Sequence, residues 1–485
     1  MDARVHPVAI RTRFGGLTLN HVWASVVLLL SVGVTFLFRM SSIDLAYHLR
    51  AGGAILATHG APSVDTYTFS VAGRAWLDQQ WGAQLLLTLV SRAAGWEGVA
   101  VFHAALVGAT FLFLWLACRA RGASAWLSAA LTLSGFVVCF FNAGMRPQTM
   151  AYPLFTATLW ILVDRRAHPR RLWVLPVVMI VWANVHGSFP LGLVLIAFAW
   201  LEDRRDRVAT KKTTMIVAVI GLVATAIGPY GIGVWRYAVD VSTNDRILQI
   251  PEWAPTTIRS IDGALFFLSA LAVVTFLARR GTKTDALALV WLGSFLLLGL
   301  SAARGQVWWG FVFPVTMAGL IVEASSPDEA RTEEAGSPVL NLVVVFALVA
   351  FVALESPLVQ HRVGPSDGSP ALVAYAPQHL VEATQREARA DARLFVAMPY
   401  ASWFEYASPE NPLFVDPRIE LFPEAVWADY YAVIDAREGW REILDRWRVD
   451  AIVLMPGDAT VAALEDDAGW RLAYRDGSGS VFVRG

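Results

Sequence analysis

The chain has 485 residues, 56% of them hydrophobic and only 16% charged, with a net charge of −1 and a mean hydropathy of +0.50. An ordinary soluble domain carries roughly a quarter of its residues charged, so this composition reads as a polytopic membrane protein. With no basic tail or basic domain, a nucleic-acid partner has no electrostatic footprint, and that class is excluded.

The opening stretch MDARVHPVAIRTRFGGLTLNH is basic and runs into a long apolar segment with no small-residue cleavage site after it. Residues 1–20 are therefore expected to form an uncleaved cytoplasmic tail. Apolar runs that can span or nearly span a bilayer follow at about 21–38, 97–118, 124–141, 149–163, 172–183, 188–202, 213–230, 263–278, 285–301, 307–322 and 338–354, about eleven helices within residues 21–355. The stretch LWVLPVVMIVWANVHGSFPLGLVLIAFAWLE is read as two short helices broken at NVHGSF, and charge decides this. With the N-terminus inside, two helices put RARGAS, DRRAHPRR, EDRRDRVATKK and ARRGTKTD all on the cytoplasmic side, where Arg and Lys belong. A single helix would send the last of them outside.

The outer face then receives the long first loop 39–96, the turn 142–149, the break 184–188, the loop 231–262 and the turn 301–308. His48, Asp65, Arg146, His186, Glu252 and Arg304 fall there together, placed by a rule that knows nothing of chemistry. Trp76, Trp81, Trp253, Trp308 and Trp309 also fall there, and most of them read as interfacial belt residues. Cys118 and Cys139 lie at opposite ends of consecutive runs, which rules out a disulfide, a zinc site or a redox pair. From about residue 385 short strand-like runs (ARLFVAM, PLFVDP, DAIVLM, SVFVRG) alternate with amphipathic stretches, so 385–485 is expected to be a small extracytoplasmic α/β domain. A Pro-, Gly- and Ser-rich linker, 356–384, should join it to the last span.

Asp44 follows the first span at once. Partial desolvation would raise its proton affinity towards that of a useful base, or it could simply cap the next helix. His48 is four residues on, on the same helical face. Arg146, beside Pro147, and Arg304 need an anion at membrane level, and lipid phosphate is the nearest supply; each could also be a snorkelling side chain. Asn184 and His186 lie in a broken helix, which membrane depth tolerates only where it is protein-buried or lines a cavity. Asp416 and Arg418, in FVDPRIELF, read as a turn with a local ion pair.

The stretch DLAYHLRAGGAIL followed by GAPSVDTYTFSVAGRAWLDQQW resembles a pattern found in large bacterial polytopic proteins related to the GT-C glycosyltransferases. MRPQT, WANVHGSF and the C-terminal LFVDPRIELF are similar to further blocks of that group. The resemblance implies transfer of a sugar from a polyprenyl-phosphate carrier to a hydroxyl of a glycan, lipid or protein acceptor, on the extracytoplasmic face of a bacterial plasma membrane. It implies Asp44 as the general base and matches Asp65 to the group's second acidic position; the residues themselves point to His48, Asp65, Arg146, Asn184, His186 and Arg304 as the substrate-binding set. Tyr47 stands where Trp is usual, and Gln80 replaces a common Glu, removing the third acid that a metal site would use. No cofactor is expected, with a divalent cation left open. The alternatives are a lipid or polysaccharide transporter, or a non-catalytic cell-envelope assembly protein.

Overall fold

The computed structural model describes residues 17–244, 250, 252–280, 284–325, 336–360 and 362–485. Most of the expected N-terminal tail, and residues 326–335, lie outside the described residues. Each of the eleven expected spans is a helix: α1 (Leu19–Phe36), α3 (Trp81–Ala120), α4 (Ala125–Cys139), α5 (Pro147–Asp164), α6 (Leu175–Val185), α7 (Pro190–Arg205), α8 (Thr210–Ala224), α10 (Ile261–Arg280), α11 (Ala286–Ser301), α12 (Gln306–Ala324) and α13 (Pro338–Glu355). Between them, α2 (Leu45–Thr58) and α9 (Gly233–Ser242) belong to the long loops. Six of these helices, α1, α3, α4, α10, α12 and α13, are long and apolar enough to cross a membrane by themselves. The chain is a multi-pass membrane protein.

The central helix α3 packs against α1, α2 and α5. It bends where Ala94 and Gly95 leave helical geometry, Gly95 with a φ of 61° that glycine adopts without strain, so residues 81–93 lie in the segment expected as loop. The break at 186–189 separates α6 from α7, which meet closely beside the break, where a Cβ on Gly192 would lie 2.7 Å from Met179 Sδ, and otherwise each pack on α5 and α8. The bundle interior is aromatic, with Phe111, Phe155, Trp182, Phe311 and Trp309 fully buried. Trp308, Trp309 and Trp76 are core residues rather than a belt, at 5%, 0% and 6% exposed. Helix packing outcompetes the interface for large rings that sit on a contact face. Cys118 and Cys139 are free and buried.

The C-terminal region carries α14 (Gln378–Glu387), β1 (Leu394–Val396), α15 (Met398–Ala407), α16 (Glu424–Ile434), α17 (Trp440–Trp447), β2 (Ala451–Leu454), α18 (Thr460–Glu465), β3 (Trp470–Arg475) and β4 (Ser480–Arg484). The strand order is β1-β2-β4-β3, with β1 parallel to β2 and the other pairs antiparallel. α14, inside the segment expected as linker, packs on β3 and β4. This domain does not hang free. Tyr67 and Phe69 of the first loop exchange backbone hydrogen bonds with Leu413, which in turn bridges to β1. Met40 bridges to Val373, and Tyr47 N–H donates to Ser402 Oγ at 2.7 Å. One apolar core runs from Leu45, Leu49 and Leu87 through Phe404 to Val453. The first loop and the C-terminal domain fold as one body, capping one end of the bundle.

Candidate functional site

Between that cap and the helix ends lies a cavity of about 980 Å³, the size of a ligand pocket. Asp44, His48, Arg146, His186 and Arg304 border it, as does Glu252. The outer-face grouping read from loop charges is thus a contiguous site.

Local chain geometry explains each position. Asp44 is the N-cap residue of α2 and Arg146 that of α5, whose first helical residue is Pro147. His186 is the C-cap of α6, in extended backbone. Arg304 lies in a single 3₁₀ turn before α12. Gly52 lets α2 approach α3 so closely that a Cβ would stand 2.2 Å from Gln84 O, which brings Tyr47 and His48 onto Gln84.

Asp44 Oδ1 accepts from Ser42 Oγ at 2.6 Å, and Oδ2 lies 3.5 Å from His48 Nε2. Burial by itself would raise the Asp44 carboxyl, as expected from the sequence. The nearby His48, the positive Arg146 and the Ser42 hydroxyl outweigh it and hold the group below the usual carboxylate range. Asp44 is therefore an ionised carboxylate, and the expectation of raised proton affinity is corrected.

Arg146 forms a two-pronged pair with Glu252, at 2.9 and 2.8 Å. Arg304 donates to Gln148 Oε1 at 2.8 Å and lies over Trp253, with Glu252 at 4.0 Å. Glu252 thus faces both guanidiniums, with Asp44 acting on them at longer range, and Arg146 Nε has no hydrogen-bond partner. Burial and then the neighbouring Arg146 pull the Arg304 pKa down. Glu252 and Asp44 hold Arg146 firmly charged, so an anion here would relieve Arg304. His186 Nδ1 is engaged by Ser188, with Oγ at 2.8 Å and the backbone N–H at 3.1 Å, which directs Nε2 elsewhere. Burial, then the two arginines, push its pKa well down, so the ring is neutral.

Asn184 and Asp65, expected among the binding residues, do not border the cavity. Asn184 is saturated: it donates to Ile180 O and Ile227 O and accepts from Trp81 Nε1, wedged where a Cβ on Gly228 would meet it at 2.1 Å. Asp65 is 1% exposed and accepts from Tyr67 N, Thr68 N, Thr68 Oγ1 and, at 2.5 Å, Arg418 Nη2. Both are corrected to clamps of the cap. The Asp416 and Arg418 ion pair expected of the turn is present, yet the same guanidinium reaches Asp65, stacks 4.4 Å over Trp76 and borders the cavity.

Three other cavity residues escaped the sequence reading: Asp78, Glu420 and Tyr237. Tyr237 O–H donates to Glu420 Oε1 at 3.2 Å. Asp78 is 2% exposed; its Oδ1 accepts from Gln84 Nε2 at 2.9 Å and its backbone N–H is held by Tyr230. Burial dominates and pushes its carboxyl up to about 7, against the opposing pull of Arg418 and Gln84. The signal was in LDQQW, where the loss of a Glu at Gln80 drew notice and the acid two residues earlier did not. Among the described residues no group of three or more His, Cys, Asp or Glu is arranged to hold a metal ion.

No protein-family model matches the chain, and no curated protein sequence does. Solved structures do resemble it. The oligosaccharyltransferase of Archaeoglobus fulgidus in its apo form shares 10% identity, over 90% of this chain and 69% of its own, with a TM-score of 0.60. The same organism's AglB, in complex with an inhibitory peptide and a dolichol-phosphate, matches at 11% identity, 89% and 69% coverage and 0.60. ArnT from Cupriavidus metallidurans in the apo state matches at 12% identity over 95% of this chain and 97% of its own, at 0.51. The fold is therefore the GT-C-like polytopic membrane fold with a small C-terminal sheet domain.

Proposed function

We propose that this protein is a glycosyltransferase of the bacterial plasma membrane that moves a sugar from a polyprenyl-phosphate carrier to an acceptor hydroxyl on the extracytoplasmic face. The observation that carries this reading is the cavity itself. It joins two arginines at the helix ends, Arg304 of them under-compensated, to an ionised carboxylate beneath the C-terminal cap. A fold neighbour has been seen with a dolichol-phosphate, which supports a lipid-phosphate donor here.

The carrier's phosphate would sit at Arg146 and Arg304, its tail in the bilayer, with neutral His186 offering Nε2–H as a further donor. Asp44 would receive the acceptor's proton as the acceptor oxygen bonds to the anomeric carbon. The bond from that carbon to the phosphate oxygen breaks on the opposite face, its electron pair leaving with the lipid phosphate, so the anomeric centre inverts. Because Asp44 holds protons weakly, proton transfer comes late, once bond formation has made the hydroxyl acidic. The arginines stabilise charge developing on the leaving phosphate in a site shielded from water.

The test is incubation of the purified protein with a panel of polyprenyl-phosphate sugars, following release of free lipid phosphate. Asp44→Asn should lower transfer by roughly 10²- to 10⁴-fold, the usual worth of a general base, without changing the melting temperature. A fully active Asp44→Asn protein would falsify the assignment.

A further inference from the structure

Asp44 and Asp78 border the same cavity and are linked through protein groups. His48 Nε2 lies 3.5 Å from Asp44 Oδ2; His48 Nδ1 lies 3.4 Å from Gln84 Nε2; the same amide nitrogen is 2.9 Å from Asp78 Oδ1 and 3.1 Å from the Tyr47 hydroxyl. Along this linkage Asp78 Oδ2, Gln84 Oε1 and His48 Nε2 are buried without a hydrogen-bond partner. Buried orphans are rare, and each calls for an explanation.

We infer that Asp78 is a positioning residue that, acting through Gln84, sets which nitrogen of His48 carries the proton opposite Asp44. This rests on the reading of Asp44 as the base. An ionised Asp78 only accepts, so it fixes the Gln84 amide with its N–H groups towards Asp78 and His48 Nδ1. The imidazole proton then sits on Nε2, facing Asp44 and aligning its carboxylate. A protonated Asp78 donates instead. The amide turns to present Oε1, His48 moves its proton to Nδ1, and Asp44 loses its partner. The charged and titratable groups around Asp78 are Tyr47 and His48 on α2, Tyr67 of the first loop, Tyr230 and Tyr237 on the loop and α9, and Arg418 and Glu420 from the C-terminal domain. Burial is the largest influence on Asp78 and puts its titration near neutrality, where an acid–base group is most useful.

The experiment pairs a pH profile with a direct view of the ring. In the wild type, kcat should climb as pH rises through about 7, and the ¹⁵N signals of His48, identified by their absence in His48→Gln, should change tautomer over the same range. Asp78→Asn should remove both changes and lower kcat at about pH 8 by roughly 10- to 100-fold, with donor KM held, as for loss of an outer-shell partner. Gln84→Leu should leave Asp78 titrating by infrared carboxyl absorption but uncouple the ring. An unchanged His48 tautomer curve in Asp78→Asn overturns the inference. A silent donor panel with a coupled His48 instead overturns the transfer reading and leaves this one standing.

Discussion

Each end of the helix bundle gathers ionisable side chains, and the two gatherings are built in opposite ways. At one end Arg165 donates to Glu202 Oε2 at 3.0 Å and to both oxygens of Asp203 at 2.8 and 3.0 Å. Asp203 also accepts from Arg166, Thr210 and Thr214, and Glu202 Oε1 from Trp291. No oxygen of Glu202 or Asp203 is left over, and neither residue borders the large cavity at the other end. At the other end Arg146, Arg304, Asp44, His48 and Asp78 surround open space with orphaned atoms and shared counterions. A satisfied network ties α7, α8 and α11 to the end of α5; an unsatisfied one waits for a ligand.

The largest effect should come from breaking the satisfied end. Removing one partner of a buried ion pair leaves an uncompensated charge, at roughly 3–5 kcal/mol. Asp203→Leu, which leaves buried Arg165 with Glu202 as its one remaining carboxylate and deprives Arg166 of a partner, should therefore unfold the protein at markedly lower temperature. If Asp203→Leu melted like the wild type, the contrast between the ends would be gone.

The residues that obey a local rule were legible in the sequence, and those fixed by long-range contact were not. Apolar length located the helices, and the alternation of Arg-rich loops grouped Asp44, Arg146, His186 and Arg304 correctly at one end, because loop charge is read one span at a time. The break at 186 was legible because His, Gly and Ser interrupt an apolar run. The roles of Asp65 and Arg418 were not, since 353 residues separate them; nothing near FVDPRIELF tells of a carboxylate in the first loop. The same holds for the cap. Strand pairing between Tyr67 and Leu413 is set by the tertiary fold, so a stretch read as loop and a domain read as tethered turn out to share a core.

The unsatisfied end should yield a smaller effect, and one on activity alone. Arg304→Gln keeps a donor near Gln148 and removes the under-compensated charge. It should lower transfer by about 10²- to 10³-fold, in line with losing one donor to a developing oxyanion. Its melting temperature should stay within a degree or two, because Glu252 retains Arg146. Equal loss of stability in Arg304→Gln and Asp203→Leu would show that the two ends are built alike.

The gentlest test is a slope. The Asp78 carboxyl titrates at about 7 in the folded protein and near 3.8 when exposed. Between those values the native state holds a proton that the unfolded chain has released. The stabilisation is full below about 4, falls by at most about 1.4 kcal/mol per pH unit as pH rises, and is gone above about 7. Asp78→Asn, which mimics the protonated form at every pH, should lack that component, so its melting temperature should fall less than the wild type's between about pH 5 and about pH 7.5. The same substitution would then weaken function and flatten the loss of stability with pH. That combination belongs to a group kept for work at the unsatisfied end, because a clamp such as Asp203 loses stability when it is replaced.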